Sequence, residues 1–192
     1  MSWTDPKTWV GGEVLTAAEL NEQVRDNLTH LYEDNSPGSL VVYSRTAELS
    51  VPNMEHTQVT WTSRPLARGD GWKAVPDSEL VVPDEGLYLL GVNAFFARVG
   101  TGASGVGGYV QMTVTANSEE VDTESLWAAG AAWGSASGGA SARVSGMSSP
   151  MYFEGGETLR VFAFRQAAIE TVELRSTAPS SPQFWMWRIG DS

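Results

Sequence analysis

The longest apolar segment of the chain spans residues 86–99 and has the sequence GLYLLGVNAFFARV. Side chains of a β-strand alternate between its two faces. One face of this segment would carry Tyr88, Leu90, Val92, Ala94 and Phe96, and the other would carry Leu87, Leu89, Phe95 and Val99. Because a strand with one face in water shows polar residues on that face, the segment predicts a central antiparallel strand covered on both sides. We expect a facing sheet on one side and a neighbouring subunit on the other.

The rest of the chain after residue 38 favours an all-β domain. The 192 residues include 20 Gly and 8 Trp, and only 18% are charged. Strands are predicted at residues 40–44, 57–62, 79–82, 86–99, 109–116, 142–153, 158–164 and 183–189. Two tracts rich in Gly, Ala and Ser, residues 100–108 and 130–146, are predicted as exposed loops. Eight strands with no helix between them predict an antiparallel sandwich of jelly-roll type over residues 39–192.

Residues 1–38 differ in composition and are predicted to form an extended arm followed by one short helix. Two Trp, one Pro and a Gly pair in the first 13 residues suit neither a helix nor a regular strand. Trp3 and Trp9 therefore have two possible roles. They fold back onto the helix of the same chain, or they insert into a pocket on another protein, where buried aromatic residues dominate interface energies.

The predicted helix begins at a capping box formed by Thr16 and Glu19. Its single apolar stripe, spaced four, four and three residues apart, consists of Leu20, Val24, Leu28 and Leu31. Such a narrow stripe is not stable alone in water, so it must pack on the domain or on copies of itself. Asn27 lies beside the stripe. It either faces solvent or fixes the register of a small self-associating bundle.

Charge and composition exclude several classes of partner. The chain has 12 basic and 23 acidic residues, a formal net charge of −11, which argues against nucleic acid and against an anionic membrane surface. The absence of cysteine excludes disulfides and thiolate metal sites. No apolar run reaches the roughly 20 residues of a spanning helix, and the first residues lack the pattern of a secretory signal. We therefore expect no membrane insertion.

The sequence contains no convincing catalytic, cofactor or metal motif. Residues 100–105 fit Gly-x-Gly-x-x-Gly, but they lead into a predicted strand, whereas dinucleotide binding needs a following helix. The two histidines, His30 and His56, lie in no pattern typical of a nucleophile and its base. The densest acidic group, Glu119, Glu120, Asp122 and Glu124, favours a solvated turn over a calcium loop. We expect a protein without enzymatic activity and without a cofactor.

Three segments together resemble the jelly roll of the tumour necrosis factor (TNF) and complement-head family. Residues 82–90 contain a Pro-x-x-Gly-x-Tyr turn before the apolar strand, residues 153–161 contain a Gly-Gly-Glu turn before a later strand, and residues 184–189 form an aromatic last strand. Members of that family are mostly homotrimers whose central faces pack about a threefold axis. The resemblance therefore implies a homotrimer, with Leu87, Leu89, Phe95 and Tyr109 expected at its interface.

The N-terminal segment carries a second resemblance. Residues 3–9, 12–21 and 24–28 are similar to the start of tail and other virion structural proteins from phages of actinobacteria. The resemblance implies a segment that attaches the protein to the capsid or the tail. The residues expected to anchor it are Trp3, Trp9, Leu20, Val24, Leu28 and Leu31. The expected protein is assembled in the host cytoplasm, decorates the particle surface and contacts the host surface.

One alternative function belongs to a different class, a soluble carbohydrate-binding module. Trp127 and Trp133 lie close to the start of the long Gly-rich tract. In this alternative they hold a glycan of the host surface, since long loops at the end of a sandwich often carry binding residues. The competing interpretation is that both side chains simply pack over an open end of the sandwich.

Overall fold

A computed structural model describes residues 16–20, 39–98, 108–118, 121, 125–133, 141–167, 172–176 and 181–190. The chain divides into two compact units, Met1–Gly38 and Ser39–Ser192. The described part of the first unit contains the helix α1, Ala17–Leu20, which begins directly after Thr16. The other residues proposed to anchor the protein, Trp3, Trp9, Val24, Leu28 and Leu31, lie outside the described residues, as does Asn27. No helix in the described part of the chain is long and apolar enough to span a membrane.

The second unit is built from antiparallel strands. In chain order they are β1 (Leu40–Ser44), β2 (Leu49–Val51), β3 (His56–Gln58), β4 (Ser63–Arg68), β5 (Glu79–Val81), β6 (Gly86–Arg98), β7 (Gly108–Ala116), β8 (Ser125–Trp133), β9 (Ser141–Met147), β10 (Met151–Phe153), β11 (Thr158–Ala167), β12 (Val172–Leu174) and β13 (Gln183–Gly190). The predicted all-β antiparallel sandwich is confirmed.

The strands form two sheets. In the eight-stranded sheet, β6 pairs with β12 and β13 along one edge and with β9 and β10 along the other. Strand β2 pairs with β12, and β13 pairs with β1, which pairs with β4. The five-stranded sheet has the order β3-β11-β7-β8, with β5 also paired to β11. Strand β6 therefore has neighbours on both edges along most of its length, which makes it the central strand that the apolar segment predicted.

The hydrophobic core lies between the two sheets. On β6 the inward residues are those predicted for one face, Tyr88, Leu90, Val92, Ala94 and Phe96, and each is at most 1% exposed. From the five-stranded sheet they meet fully buried residues of β7 and β11, among them Met112 and Leu159. The alternation of β6 is thus real, and its second face points away from the core.

The turn before β6 is held by specific contacts. Gly86 has φ +152°, and a Cβ there would meet the side chain of Arg188, so glycine is required. The Tyr88 hydroxyl donates to the Asp84 carbonyl oxygen at 2.7 Å, and Nε of Arg188 donates to the Glu85 carbonyl oxygen at 3.0 Å. These bonds join the turn both to the core and to the last strand.

The prediction of an exposed loop at residues 130–146 is wrong in part. Residues 130–133 complete β8, and residues 141–146 belong to β9. Residues 130–133, Gly-Ala-Ala-Trp, carry no alternating pattern, and they form a strand because β7 offers backbone partners along β8. Residues 142–146 also fall in the strand predicted at 142–153, and they pair with β6 as part of β9.

The single strand predicted at residues 142–153 is two strands, and the break reverses the faces. The Leu90 amide donates to the Ser148 hydroxyl at 3.0 Å, and the Ser148 amide donates to the Leu90 carbonyl oxygen at 2.8 Å. After this interruption Tyr152 is exposed and Phe153 is buried, the opposite of what unbroken alternation from the buried Val144 would give.

Candidate interaction surface on the eight-stranded sheet

The outer face of the eight-stranded sheet is lined by large apolar side chains that alternate with core residues. We call this surface the apolar face. It consists of Leu40, Val42, Leu66, Leu87, Leu89, Phe95, Met147, Tyr152, Trp185 and Trp187. The residues next to them in sequence, such as Val41, Leu90 and Met186, are fully buried on the opposite side.

Strand register makes the apolar face continuous. Val42 pairs with Trp185, Trp185 pairs with Gly91, and Gly91 pairs with Met147. In the next row, Leu40 pairs with Trp187, and Trp187 pairs with Leu89. In the row after that, Leu87 pairs with Tyr152. Directly paired side chains on one face lie about 5 Å apart, so neighbouring side chains within a row are close enough for contact.

The apolar face is only partly covered by its own chain. Met147 is 60% exposed, Tyr152 46%, Leu66 39% and Trp187 38%. Three residues predicted on the second face of the segment at 86–99 are half-buried in the structure, namely Leu87, Leu89 and Phe95. Continuous apolar surface of this kind is uncommon on monomeric proteins and marks a site of interaction.

Trp185 organises the centre of this surface. A Cβ placed on Gly91 would clash with Cε2 and Cζ2 of the Trp185 indole. The indole therefore lies flat across β6 at the glycine, and it fills the space that any other side chain at residue 91 would need. The indole thereby covers the backbone of β6 at the centre of the apolar face.

Charged groups lie at the margin of the apolar face. Partial desolvation, and then the negative charges of Glu85, Glu154 and Glu157, raise the pKa of the Tyr152 hydroxyl. This hydroxyl therefore stays protonated at physiological pH, and it interacts with the Glu85 carboxylate at the margin. Arg143 lies opposite Phe95 at the other end of β6.

Three uncharged polar residues form one row across the apolar face. Gln183 of β13 pairs with Asn93 of β6, and Asn93 pairs with Ser145 of β9. The row lies between the pair of Trp185 with Gly91 and the residue Phe95. We call these three residues the polar row.

The structure brings together three of the four residues predicted at a trimer interface. Leu87, Leu89 and Phe95 share the apolar face. Tyr109 lies on β7 in the five-stranded sheet, on the other side of the sandwich, so it does not join them. The sequence prediction missed Met147, Tyr152, Trp185, Trp187 and the smaller members of the surface. Trp185 and Trp187 alternate with Phe184 and Met186 in the last strand, and this alternation could have indicated that the two Trp residues lie on the face opposite the core.

Trp127 faces the interior of the sandwich. It pairs with the buried Val114 of β7, packs against the core, and its ring lies over Gly146 of β9. This position fits the packing interpretation, in which the ring closes the sandwich between the edges of β8 and β9. Trp133 is the last residue of β8, and the orientation of its side chain lies outside the described residues.

The outer face of the five-stranded sheet carries a short polar ladder on β7. The hydroxyl of Tyr109, a residue that is 37% exposed, donates to Oε1 of Gln111 at 3.0 Å, and Nε2 of Gln111 donates to the Thr113 hydroxyl at 2.9 Å. The Tyr109 ring lies over Gly130 of β8, where a Cβ would collide with it. The ring is therefore held flat on the sheet with its other side toward solvent.

Two further groups considered in the sequence are His56 and the acidic cluster at residues 119–124. The His56 ring stacks on Phe164, with centroids 4.7 Å apart, on the pair formed by β3 and β11. No group of three or more His, Cys, Asp or Glu in the described ranges could hold a metal ion. The acidic residues 119, 120, 122 and 124 lie outside those ranges.

No family model and no curated protein matches this chain. Solved structures do match. Murine APRIL, in crystals at pH 5.0, superimposes with a TM-score of 0.52 at 18% identity and covers 78% of this chain and 98% of its own. The fold is a TNF-like jelly roll. Eiger TNF from S. frugiperda supports the same fold, with a TM-score of 0.50, 11% identity, and coverage of 81% of this chain and 95% of its own.

Proposed function

We propose that this chain is a non-enzymatic, homotrimeric surface protein of a bacteriophage particle. In this proposal the apolar face is buried between three copies of the TNF-like head. The segment of residues 1–38 anchors the trimer to the capsid or the tail, and the head decorates the particle and contacts the host. The observation that carries the proposal is the apolar face itself.

The argument for self-association starts from the hydrophobic effect. Burial of apolar surface contributes about 25 cal/mol per Å². A stable interface buries about 800 Å² on each partner, an area of about 20 residues. The apolar face contributes ten large side chains around Trp185 and Leu89, in the middle of a sheet that is wide enough to supply the rest. A closed ring of three copies repeats this contact without leaving one copy of the surface uncovered.

The trimeric state and the particle are supported by the two sequence resemblances. The TNF-like jelly roll resembles a family that is mostly homotrimeric, and the fold resemblance now has structural support. Residues 3–9, 12–21 and 24–28 resemble N-terminal segments of virion proteins. Trp3 and Trp9 have the character of anchors for a dry pocket on a capsid or tail protein.

A matched pair of variants tests the trimer. Met147 lies on the apolar face and is 60% exposed, whereas Met54 lies between β2 and β3 and is 58% exposed. Met54→Asp should leave the fold intact because the residue has φ +61°, a conformation in which Asp is enriched. Light scattering at micromolar protein concentration measures the molar mass. The wild type and Met54→Asp should have the mass of three chains, whereas Met147→Asp should have the mass of one. A wild-type monomer, or equal behaviour of the two variants, would overturn the proposal.

A deletion tests the anchor separately. Because residues 39–192 form a compact unit with their own core, removal of residues 1–35 should leave a folded, trimeric head. That head should no longer join phage particles during assembly in infected cells. Continued incorporation of the shortened protein into purified particles would show that the anchor lies elsewhere.

The second candidate function, a carbohydrate-binding module, is favoured by one observation. The flat ring of Tyr109 and the adjacent amide of Gln111 provide an aromatic surface and fixed hydrogen-bonding groups, the two features that a neutral sugar ring needs. A glycan array would separate the candidates, with Tyr109→Ala and Trp133→Ala as the variants. A protein that only decorates the particle should bind no glycan specifically. Specific binding lost in either variant would favour the module.

A further inference from the structure

We infer that the polar row of Gln183, Asn93 and Ser145 forms hydrogen bonds between copies of the chain, and that these bonds fix the register and the number of copies. The inference rests on the proposed trimer, and it names the residues that favour the trimer over other assemblies of the same surface. The hydrophobic effect is non-directional, so apolar contact alone stabilises many relative arrangements of two apolar sheet faces. A polar group inside such a contact permits only the arrangements that give it a partner.

The first step is that an interface that buries Leu89 and Phe95 also buries the polar row. On β6, Asn93 lies between Leu89 and Phe95 on the same face, four residues from the first and two from the second. Side chains two residues apart on one face of a strand are separated by about 7 Å. A partner surface that covers both Leu89 and Phe95 therefore also covers Asn93 and its cross-strand neighbours.

The second step concerns hydrogen bonds. Within the described part of the chain, the side chains of Gln183, Asn93 and Ser145 make no hydrogen bond to another described residue, although they lie directly opposite each other in the sheet. In a monomer, water satisfies them, because Ser145 is exposed and the other two are partly exposed. When an interface forms, the water leaves, and a buried polar group without a partner opposes association.

The third step is that these groups are suited to pair with copies of themselves. A carboxamide carries both donors and an acceptor, and a hydroxyl does the same on a smaller scale. Gln183, Asn93 and Ser145 can therefore satisfy each other across a rotational axis without a second kind of partner. A row of like-charged side chains could not do so, and the acidic excess of the chain is absent from this row.

The rest of the face supports the same interpretation. On one side of the polar row lie Trp185, Trp187, Leu89 and Met147, and on the other side lies Phe95 beside Arg143. The row thus divides a large apolar region from a smaller one. A neighbouring copy displaced along the strands by two residues would oppose the amides to Trp185 or to Phe95, which cannot pair with them.

The test replaces the amides by apolar side chains of similar size and measures mass distributions by analytical ultracentrifugation over a range of concentrations. Asn93→Leu and Gln183→Leu should still associate, but as a mixture of species rather than as one trimer. Gln166→Leu, an exposed glutamine on β11 in the other sheet, is the control and should remain a single trimer. A single trimer for Asn93→Leu and Gln183→Leu would overturn the inference and leave the proposed function intact. A wild-type monomer would overturn the proposed function itself.

A second variant covers the case in which the leucine variants fail to fold. Asn93→Asp places identical charges in the row, and they approach one another only if the rows of different copies meet. The trimer of this variant should then dissociate at pH 7 and re-form near pH 4, about the ordinary pKa of an aspartate. A trimer whose dissociation constant changes with pH no more than that of the wild type would show that the rows do not face each other.

Discussion

The contact between Gly91 and Trp185 gives the sharpest test of the apolar face. In the variant Gly91→Ala the new methyl group would occupy the position of the indole ring, so the ring must move away from the sheet. Forcing extra volume into a filled contact costs about 1–3 kcal/mol. Alanine also restricts the unfolded chain more than glycine does, which stabilises the fold by about 0.5–1 kcal/mol where the backbone permits it. The expected net loss is about 1–2 kcal/mol.

The assay is a double-mutant cycle with Trp185→Ala. Without the indole, the methyl group of Gly91→Ala meets no obstacle, and the substitution should become neutral or slightly stabilising. The coupling between the two sites is then about 1–3 kcal/mol, well above the error of additivity for independent sites. Chemical unfolding of the four proteins at one fixed protein concentration measures it, since association makes stability depend on concentration. Additive effects of the two substitutions would refute the contact.

Three further predictions concern the head. Tyr88→Phe removes the 2.7 Å hydrogen bond from the buried Tyr88 side chain to the Asp84 carbonyl oxygen. It should lower the free energy of unfolding by about 1 kcal/mol, or the melting temperature by about 2–4 °C, and an unchanged melting curve would contradict the bond. Asn117 has φ +54° and bonds to Glu157 at 2.9 Å, so Asn117→Ala should destabilise more than Asn117→Gly in thermal unfolding, and the reverse order would refute the role of that turn. A hydrogen bond from the Glu79 backbone amide lowers the pKa of Asp77, so the ionised carboxylate stabilises the fold at neutral pH and this contribution is lost as acid protonates it. Asp77→Asn should therefore lose less stability than the wild type below about pH 4, and an unchanged acid unfolding profile would argue against this role of Asp77.

The sequence predicted the fold where the pattern was local. The apolar segment at residues 86–99 predicted β6 almost to its ends. A long run of apolar residues identifies a buried strand by itself, without knowledge of the strands that pair with it. Strands β2 and β12 are three residues long, too short to carry a pattern. Strand β8 is composed largely of Ala and Gly, and only the pairing with β7 makes it a strand.

The candidate site was predictable to the same extent. Alternation alone gave Leu87, Leu89 and Phe95. Tyr109 was assigned to the same interface because no local pattern indicates which sheet a strand joins; that depends on its pairing with β11, about 50 residues further along the chain. Tyr152 was hidden by the break at Ser148, which moves the alternation by one residue.

The chemistry of the apolar face is set by the core behind it. Phe184 and Met186 of β13 are fully buried, and they fix the register in which β13 meets β6. A slip of one residue would expose both of them to water and turn Trp185 inward, at a cost of several kcal/mol for the lost burial. The same register places the Trp185 indole over Gly91 and Gln183 opposite Asn93. The contact of Trp185 with Gly91 and the polar row are therefore two consequences of one pairing. A substitution that shifts this register should abolish the stability of the head and its self-association together.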